Sequence, residues 1–305
     1  MASPSACWRR FADGDPMTAW AAIGAAHLDR IARALGPVAL GSSNPARVRA
    51  SPGGVARNVA ENLARLGSEV RLISRVGDDE AGRLVLAATR AAGVDVSESE
   101  IVAGAATAGY TALLDPAGGL VVAFADMAIY DGFDGAWAAE AADGVPHWFV
   151  DANLPARALV DLAAGKPPGT FLAADAVSVA KSERLRAVFP ALDLIFANRD
   201  EARALAATGD LTEAAGRLRS AGAGAVIITL GADGALVADA SGCTRLPPEA
   251  ATVRDVTGAG DALIGATLDG LARGRPLLDA TRLGVVAATL TLGYEGAVGA
   301  PPTKR

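Results

Sequence analysis

Short runs of apolar, often β-branched residues alternate along the chain with longer Ala- and Leu-rich stretches whose apolar positions recur at helical spacing. The runs near 19–25, 69–75, 147–151, 170–174, 192–196 and 225–229 read as strands. Helices are predicted over 54–66, 79–91, 156–164, 181–188, 199–207, 211–221, 259–273 and 277–292. Strands that alternate with helices pair in parallel, because each crossover returns the chain to the same edge, so the pattern predicts an α/β protein with a mostly parallel sheet. Several strand runs end in polar residues: Asp29 after the first, then Asp151 and Asn153, Asp175, Asn198 through Glu201, and Thr229 with Gly231. Open parallel sheets bind ligands beyond the carboxyl ends of their strands, so these residues are expected to line one crevice.

Two segments break the alternation. Residues 36–52 contain Gly36-Pro37, Gly41, Asn44-Pro45 and Ser51-Pro52, and in 106–126 two apolar runs flank Asp115-Pro-Ala-Gly-Gly119. Such residues favour turns between antiparallel strands, and the two segments together predict a small β-sheet lid over the crevice. They lie inside a domain expected to span 18–305, with residues 1–17 a flexible tail.

Composition narrows the function. Of 305 residues, 51% are hydrophobic, enough for a large core, which excludes intrinsic disorder. Lys+Arg 28 against Asp+Glu 34 leaves a net charge of −6, so no basic field attracts a nucleic acid. Two cysteines far apart and two histidines match no zinc-ligand spacing. No uncharged apolar run approaches the ~20 residues a membrane span needs, and no signal peptide is read at the N-terminus. A cytoplasmic enzyme acting on a small molecule, with neither nucleic acid nor membrane as partner, is the expectation.

The most informative segment is Asp255-Val-Thr-Gly-Ala-Gly-Asp261, which leads into the helix predicted over 259–273. Gly258 and Gly260 clear side chains from the helix start, where backbone N–H groups and the helix dipole together favour an anion such as phosphate. Asp261 sets a carboxylate beside that cradle, placed to accept a proton from an attacking hydroxyl; the same residue can equally serve as a helix cap. No GxxxxGK[ST] motif is present, and Gly258-x-Gly260 lacks the third glycine of a dinucleotide fingerprint.

This segment resembles the C-terminal signature of the PfkB, or ribokinase-like, sugar and nucleoside kinases. Ser51-Pro-Gly-Gly-Val-Ala-Arg-Asn-Val-Ala-Glu-Asn-Leu-Ala-Arg-Leu-Gly67, running on to Val76-Gly-Asp-Asp79, resembles the other signature of that family. The resemblance implies a three-layer α/β/α sandwich with a β-sheet lid, ATP as phosphoryl donor, and Mg²⁺. It makes Asp261 the catalytic base, with the amides of Gly258, Ala259 and Gly260 as the anion hole. Asp255, Thr257 and Gly296 become candidates for a monovalent cation such as K⁺, with ordinary turn residues the alternative.

Asn198-Arg-Asp-Glu201 resembles the family's Asn-x-x-Glu motif, whose glutamate acts on Mg²⁺ chiefly through water. The same four residues also spell a helix capping box, and both readings can hold together. Thr229 and Gly231, with Asn198, resemble the strand ends that contact the nucleotide. On the acceptor side, Asp29, Gly53, Gly54 and Asn58 resemble the sugar-binding aspartate, glycine pair and amide.

Within the family, Ser43-Asn-Pro45, Ala125-Asp-Met-Ala-Ile-Tyr130, Val150-Asp-Ala-Asn-Leu154 and Asp175-Ala-Val-Ser-Val-Ala-Lys-Ser182 resemble the subgroup that phosphorylates the 5′-hydroxyl of pseudouridine. Asn44, Thr111 and Lys181 then become candidates for holding ribose, base or phosphate, although Lys181 could equally be a solvated helix-start lysine. Ribose, fructose and purine nucleosides are the alternative acceptors, and a non-catalytic ligand-binding relative is an alternative of another class. In relatives of this family the lid's exposed apolar face is often covered by the same face of a second subunit, so the resemblance implies a homodimer.

Overall fold

The structure, a computed structural model, describes residues 18–294 and 298; the sequence-derived tail 1–17 and Gly296 lie outside the described residues. Its strands are β1 (Ala19–Ile23), β2 (His27–Ala34), β3 (Ala46–Gly53), β4 (Glu69–Ile73), β5 (Arg75–Gly77), β6 (Glu100–Val102), β7 (Gly109–Leu114) and β8 (Leu120–Asp126). They continue as β9 (His147–Asp151), β10 (Phe171–Asp175), β11 (Leu194–Asn198), β12 (Ala225–Thr229), β13 (Ala235–Asp239) and β14 (Gly242–Leu246). The helices are α1 (Val55–Arg65), α2 (Glu80–Ala91), α3 (Gly135–Ala141), α4 (Ala156–Gly165), α5 (Val179–Ser182), α6 (Arg199–Ala206), α7 (Leu211–Ser220), α8 (Ala259–Ala272) and α9 (Leu277–Thr291).

Eight strands form the main sheet in the order β14-β13-β12-β11-β10-β9-β1-β4, parallel from β12 to β4 and antiparallel at the β13 and β14 edge. Side chains alternate across a strand, and here both faces are buried. Ala21 and Ile23 of β1 join Trp148, Val150 and Ile195 in a core closed by α3, α4, α6 and α7. Trp20 and Ala22 join Phe149, Phe196 and Ile227 in a second core, closed by α1, α2, α8 and α9. Two cores on two faces of one sheet make the three-layer α/β/α sandwich. Among the described residues no helix is long and apolar enough to cross a membrane.

The lid is a separate four-stranded sheet in the order β3-β2-β7-β8. It departs from the sequence reading in one important place. Asp29 does not end the first strand: β1 stops at Ile23, the chain turns through Gly24 at φ +153°, and His27–Ala34 is itself a lid strand. Its mixture of Arg30, Arg33 and small apolar residues carried no two-residue alternation to reveal it, because neither face of this lid strand enters a core throughout its length. Residues 235–246 form an unforeseen antiparallel edge, and 181–188 is not one helix: α5 passes into a 3₁₀ stretch, Glu183–Ala191, that contains Pro190.

Register decides which lid residues look inward. Asp29 stands beside Ser51 on β3 and Tyr110 on β7, whereas Thr111 stands beside Arg30 and Phe124. A one-residue step reverses the face, so Thr111 points away from the side that carries Asp29.

Candidate active site

Parallel strands bring the ends of β1, β9, β10, β11 and β12 to one edge, and the crevice opens between β1 and β9, where the strand order reverses. Asp151 ties this point together. Its carboxylate is fully buried and accepts hydrogen bonds from the amides of Ala25 and Ala56 on Oδ2 and of Asn153 on Oδ1, each at 2.9 Å. Three amides from three segments thus fix the end of β1, the start of α1 and the loop after β9. The buried Tyr130 hydroxyl braces the same place, accepting from the Ala26 amide and donating to the Ala26 carbonyl, both at 2.8 Å.

Asp29 reaches over the crevice from the lid, with His27 Nε2 3.0 Å from its Oδ1. Gly53 and Gly54 lie beneath it. Gly54, at φ +104°, passes so close to Ala25 that a β-carbon would lie 2.2 Å from its carbonyl oxygen, which only glycine permits. Asn58 follows on the first turns of α1 and donates from Nδ2 to Oδ2 of Asp261 at 2.8 Å. Asn58 and the carboxylate of the glycine-rich motif therefore meet, although they are remote in sequence.

Gly258 adopts a left-handed conformation at φ +76° and caps α8, whose first turn holds Gly260 and Asp261. Helix geometry leaves the Gly260 and Asp261 amides without carbonyl partners, whereas the Ala259 amide donates to the Val256 carbonyl at 3.4 Å. Burial pushes the Asp261 carboxyl up to about 7; the charges of Asp151 and Asp29 add to this, while Asn58's hydrogen bond and Arg57's charge oppose it. A carboxyl that titrates near neutrality is suited to take a proton from a hydroxyl and release it again. Beside the motif, a cleft of about 460 Å³ is lined by Thr229, Gly231, Val253, Val256, Leu263 and Leu292, apolar walls with polar strand ends at one side.

Asn198 and Glu201 form the capping box of α6. Asn198 Oδ1 accepts from the amides of Asp200 and Glu201 at 2.9 and 3.0 Å, while Glu201 accepts from the Asn198 amide at 2.7 Å and its Nδ2 at 2.6 Å. Burial raises the Glu201 carboxyl above its ordinary range. Asp175, one strand away, is pushed well above that range by burial and by the charges of Glu201 and Asp261. In the sequence it stands out as a polar strand end and as the first residue of the segment running to Ser182, with no site role assigned to it. Val177, two residues on, holds φ +63° in a tight turn closed by the Ser178 amide on the Ala176 carbonyl at 2.7 Å. That turn swings the chain so that Lys181 Nζ donates to Asn153 Oδ1 at 2.6 Å; burial lowers the lysine's pKa, with Asp151 opposing.

Three candidates stand elsewhere or are engaged otherwise. The Asn44 amide closes its own loop, accepting from the Ala39 amide at 2.8 Å and donating to the carbonyls of Ala39 and Ser42 at 3.0 and 3.1 Å. Thr111 is on the outward lid face, a correction that follows from strand alternation. Asp255 accepts from the Thr257 amide at 2.9 Å and has Arg49 of the lid 3.8 Å away, so lid and glycine-rich loop touch. The Asp255 and Arg254 amides both donate to the Leu292 carbonyl.

Comparison with known proteins gives a consistent outcome. The model of the pfkB family carbohydrate kinases matches residues 17–304. The pseudouridine kinase of Escherichia coli is 31% identical over 285 residues, 90% of each chain. The guanosine-inosine kinase of Exiguobacterium acetylicum is 28% identical, covering 88% of this chain and 92% of that one. Among solved structures, a carbohydrate kinase from Agrobacterium tumefaciens superposes with a TM-score of 0.80 at 35% identity, over 92% and 93% of the two chains.

Proposed function

The chain belongs to the pfkB family of carbohydrate kinases, and we propose that it transfers the γ-phosphoryl group of ATP to the 5′-hydroxyl of pseudouridine. The observation that carries this reading is Asp261, at the opening of α8, facing the acceptor-side residues with a carboxyl pushed up to about 7. The similarity to a pseudouridine kinase over nine-tenths of both chains supports the choice of acceptor.

The nucleotide would occupy the cleft of Thr229, Gly231 and Val256, its phosphates reaching the amides of Gly258, Ala259 and Gly260. Asp29, Gly53, Gly54 and Asn58 would hold the ribose, and Lys181 the base or a phosphate. Asp261 takes the proton of the attacking hydroxyl while the amides receive the charge on the transferring group. The lid excludes water that would otherwise compete as acceptor. The donor set fits Mg²⁺, since the raised carboxyls of Asp175 and Glu201 are groups a hard dication relieves, and both would hold it through water. Bound there, Mg²⁺ would supply positive charge against the donor's phosphates. Asp255 and Thr257 would hold a monovalent cation that orders the glycine-rich loop.

The outward lid face carries Val48 at 67% exposure, Phe124 at 66% and Val122 at 38%. An exposed apolar sheet face of this kind is suited to the same face of a second copy, and the reading includes such a homodimer. ATP supply makes the cytoplasm its compartment.

A second reading, a kinase for ribose, fructose or a purine nucleoside, draws on the guanosine-inosine kinase similarity and on Thr111 standing off the Asp29 face. An ADP-release assay with ATP and Mg²⁺ against pseudouridine, uridine, adenosine, ribose and fructose separates the two, with Asp261→Asn as control. Turnover confined to pseudouridine is expected. Turnover on another acceptor alone overturns the specificity, and silence on all five favours a non-catalytic relative.

A further inference from the structure

Helix α1 buries a charge that the reading above leaves unused. Arg57 is 5% exposed, and its guanidinium is held on three sides. Nε donates to Thr89 Oγ1 at 3.1 Å, Nη2 pairs with Glu61, and Nη1 donates to Asn58 Oδ1 at 3.0 Å. Thr89 spends its own proton on the Val85 carbonyl at 2.7 Å and so presents an acceptor to the arginine. Glu61 also pairs with Arg65, which fixes the carboxylate from its other side. Burying a guanidinium is costly, and its three partners leave it one orientation.

That orientation dictates another. A carboxamide has a donor end and an acceptor end of nearly equal shape and can turn over. Arginine carries donors only, so the end of Asn58 that meets it is Oδ1, and the end that meets Asp261 is Nδ2. We propose that Arg57 is a positioning residue: through Asn58 it directs an N–H donor onto Oδ2 of Asp261 and leaves Oδ1 as the oxygen that takes the acceptor's proton. The inference rests on Asp261 being the base.

Without Arg57 the amide is free to turn. A carbonyl oxygen facing Asp261 repels the carboxylate and accepts a hydrogen bond from the protonated acid, which favours the inactive protonation state. Asp151 at the end of β9 and Asp29 on β2 act on Asp261 with negative charge, and Arg57 on α1 with positive charge. Removing the arginine therefore adds to a push already present.

The test uses the full chain carrying Arg57→Met with Glu61→Gln, so that no buried carboxylate is stranded. Two quantities are read: the acidic limb of kcat against pH, and the titration of the Asp261 carboxyl by ¹³C NMR without substrates. Both midpoints are expected to rise by about one pH unit, a tenfold shift in ionisation. The KM for ATP should stay within about twofold. Asn58→Leu should raise the carboxyl midpoint similarly, and combining it with the Arg57 change should raise it by less than the sum of the two shifts, as for two links of one chain. Should the double variant not fold, Thr89→Val frees one side of the guanidinium and is expected to move the titration in the same direction.

Unmoved midpoints in a folded Arg57 variant, or in both Thr89→Val and Asn58→Leu, overturn the proposal. A fall in melting temperature without a change in titration does so too, since a purely structural arginine gives that result. The base assignment fails separately: a shifted titration with a fully active Asp261→Asn keeps the relay and refutes the base.

Discussion

A β-carbon on Gly53 would lie 2.1 Å from Oδ2 of Asp29, so the lid's carboxylate rests directly on the backbone at the end of β3. Gly53 itself needs no left-handed conformation. Gly53→Ala should therefore leave the backbone unstrained and act by displacing Asp29. The acceptor KM is expected to rise about tenfold or more, while the KM for ATP and the melting temperature change little. An unchanged acceptor KM would show that Asp29 does not hold the acceptor.

Asp261 links activity to pH and to stability. Its carboxyl is pushed up to about 7 from 3.8, so the folded protein holds a proton there that the unfolded chain releases. The proton stabilises the fold fully below about pH 4, and that contribution is lost as pH rises through 7. Asp261→Asn removes the dependence. The variant should melt higher than the wild type at pH 8, with the difference shrinking at pH 5, while kcat falls about 10²–10⁴-fold and isothermal titration still detects both ligands. Equal pH dependence of melting in the two proteins would contradict the raised pKa.

Glu201 answers to two demands, since both its oxygens already accept from Asn198. Glu201→Gln can satisfy one of these donors but sets an N–H₂ against the other. A stability loss of about 1 kcal/mol in urea unfolding is expected from the weakened cap. If the carboxylate also holds Mg²⁺ through water, the Mg²⁺ concentration for half-maximal rate should rise about tenfold. A stability loss with unaltered Mg²⁺ dependence assigns the residue to the cap alone.

The lid's outward face is tested by Phe124→Lys and Val48→Lys, both exposed in the single chain. Neither should lower the melting temperature of an isolated protomer appreciably. Light scattering should show a dimer for the wild type and a monomer for the double variant; two identical masses would remove the lid from the interface.

Much of the main sheet was legible because its signals are local. The strands at 147–151 and 225–229 were bounded at the residues the structure shows, and the others within a few residues. Each is an apolar run closed by a polar residue, and a strand buried on both faces has little choice of composition. The lid strand His27–Ala34 was not legible, since a strand with water on much of its surface needs no apolar alternation. Arg57 was likewise hidden: one arginine among α1's mixed residues reads as a solvated side chain, and nothing in its spacing reveals three buried partners.

What the sequence determined by itself was the alternation of strands and helices around a mostly parallel sheet and the places of its two glycine-rich turns, because hydrophobic period and the absence of a β-carbon act within a few residues. Only the tertiary structure decided how those turns meet. Asn58 and Asp261 are 203 positions apart, and their hydrogen bond exists because α1 and α8 pack on the same face of the sheet. The direction in which Thr111 points was decided by the register of β7 on β2, and the raised pKa of Asp261 by burial and by carboxylates from other strands. Register and burial are properties of the packed chain, and no local segment encodes them alone.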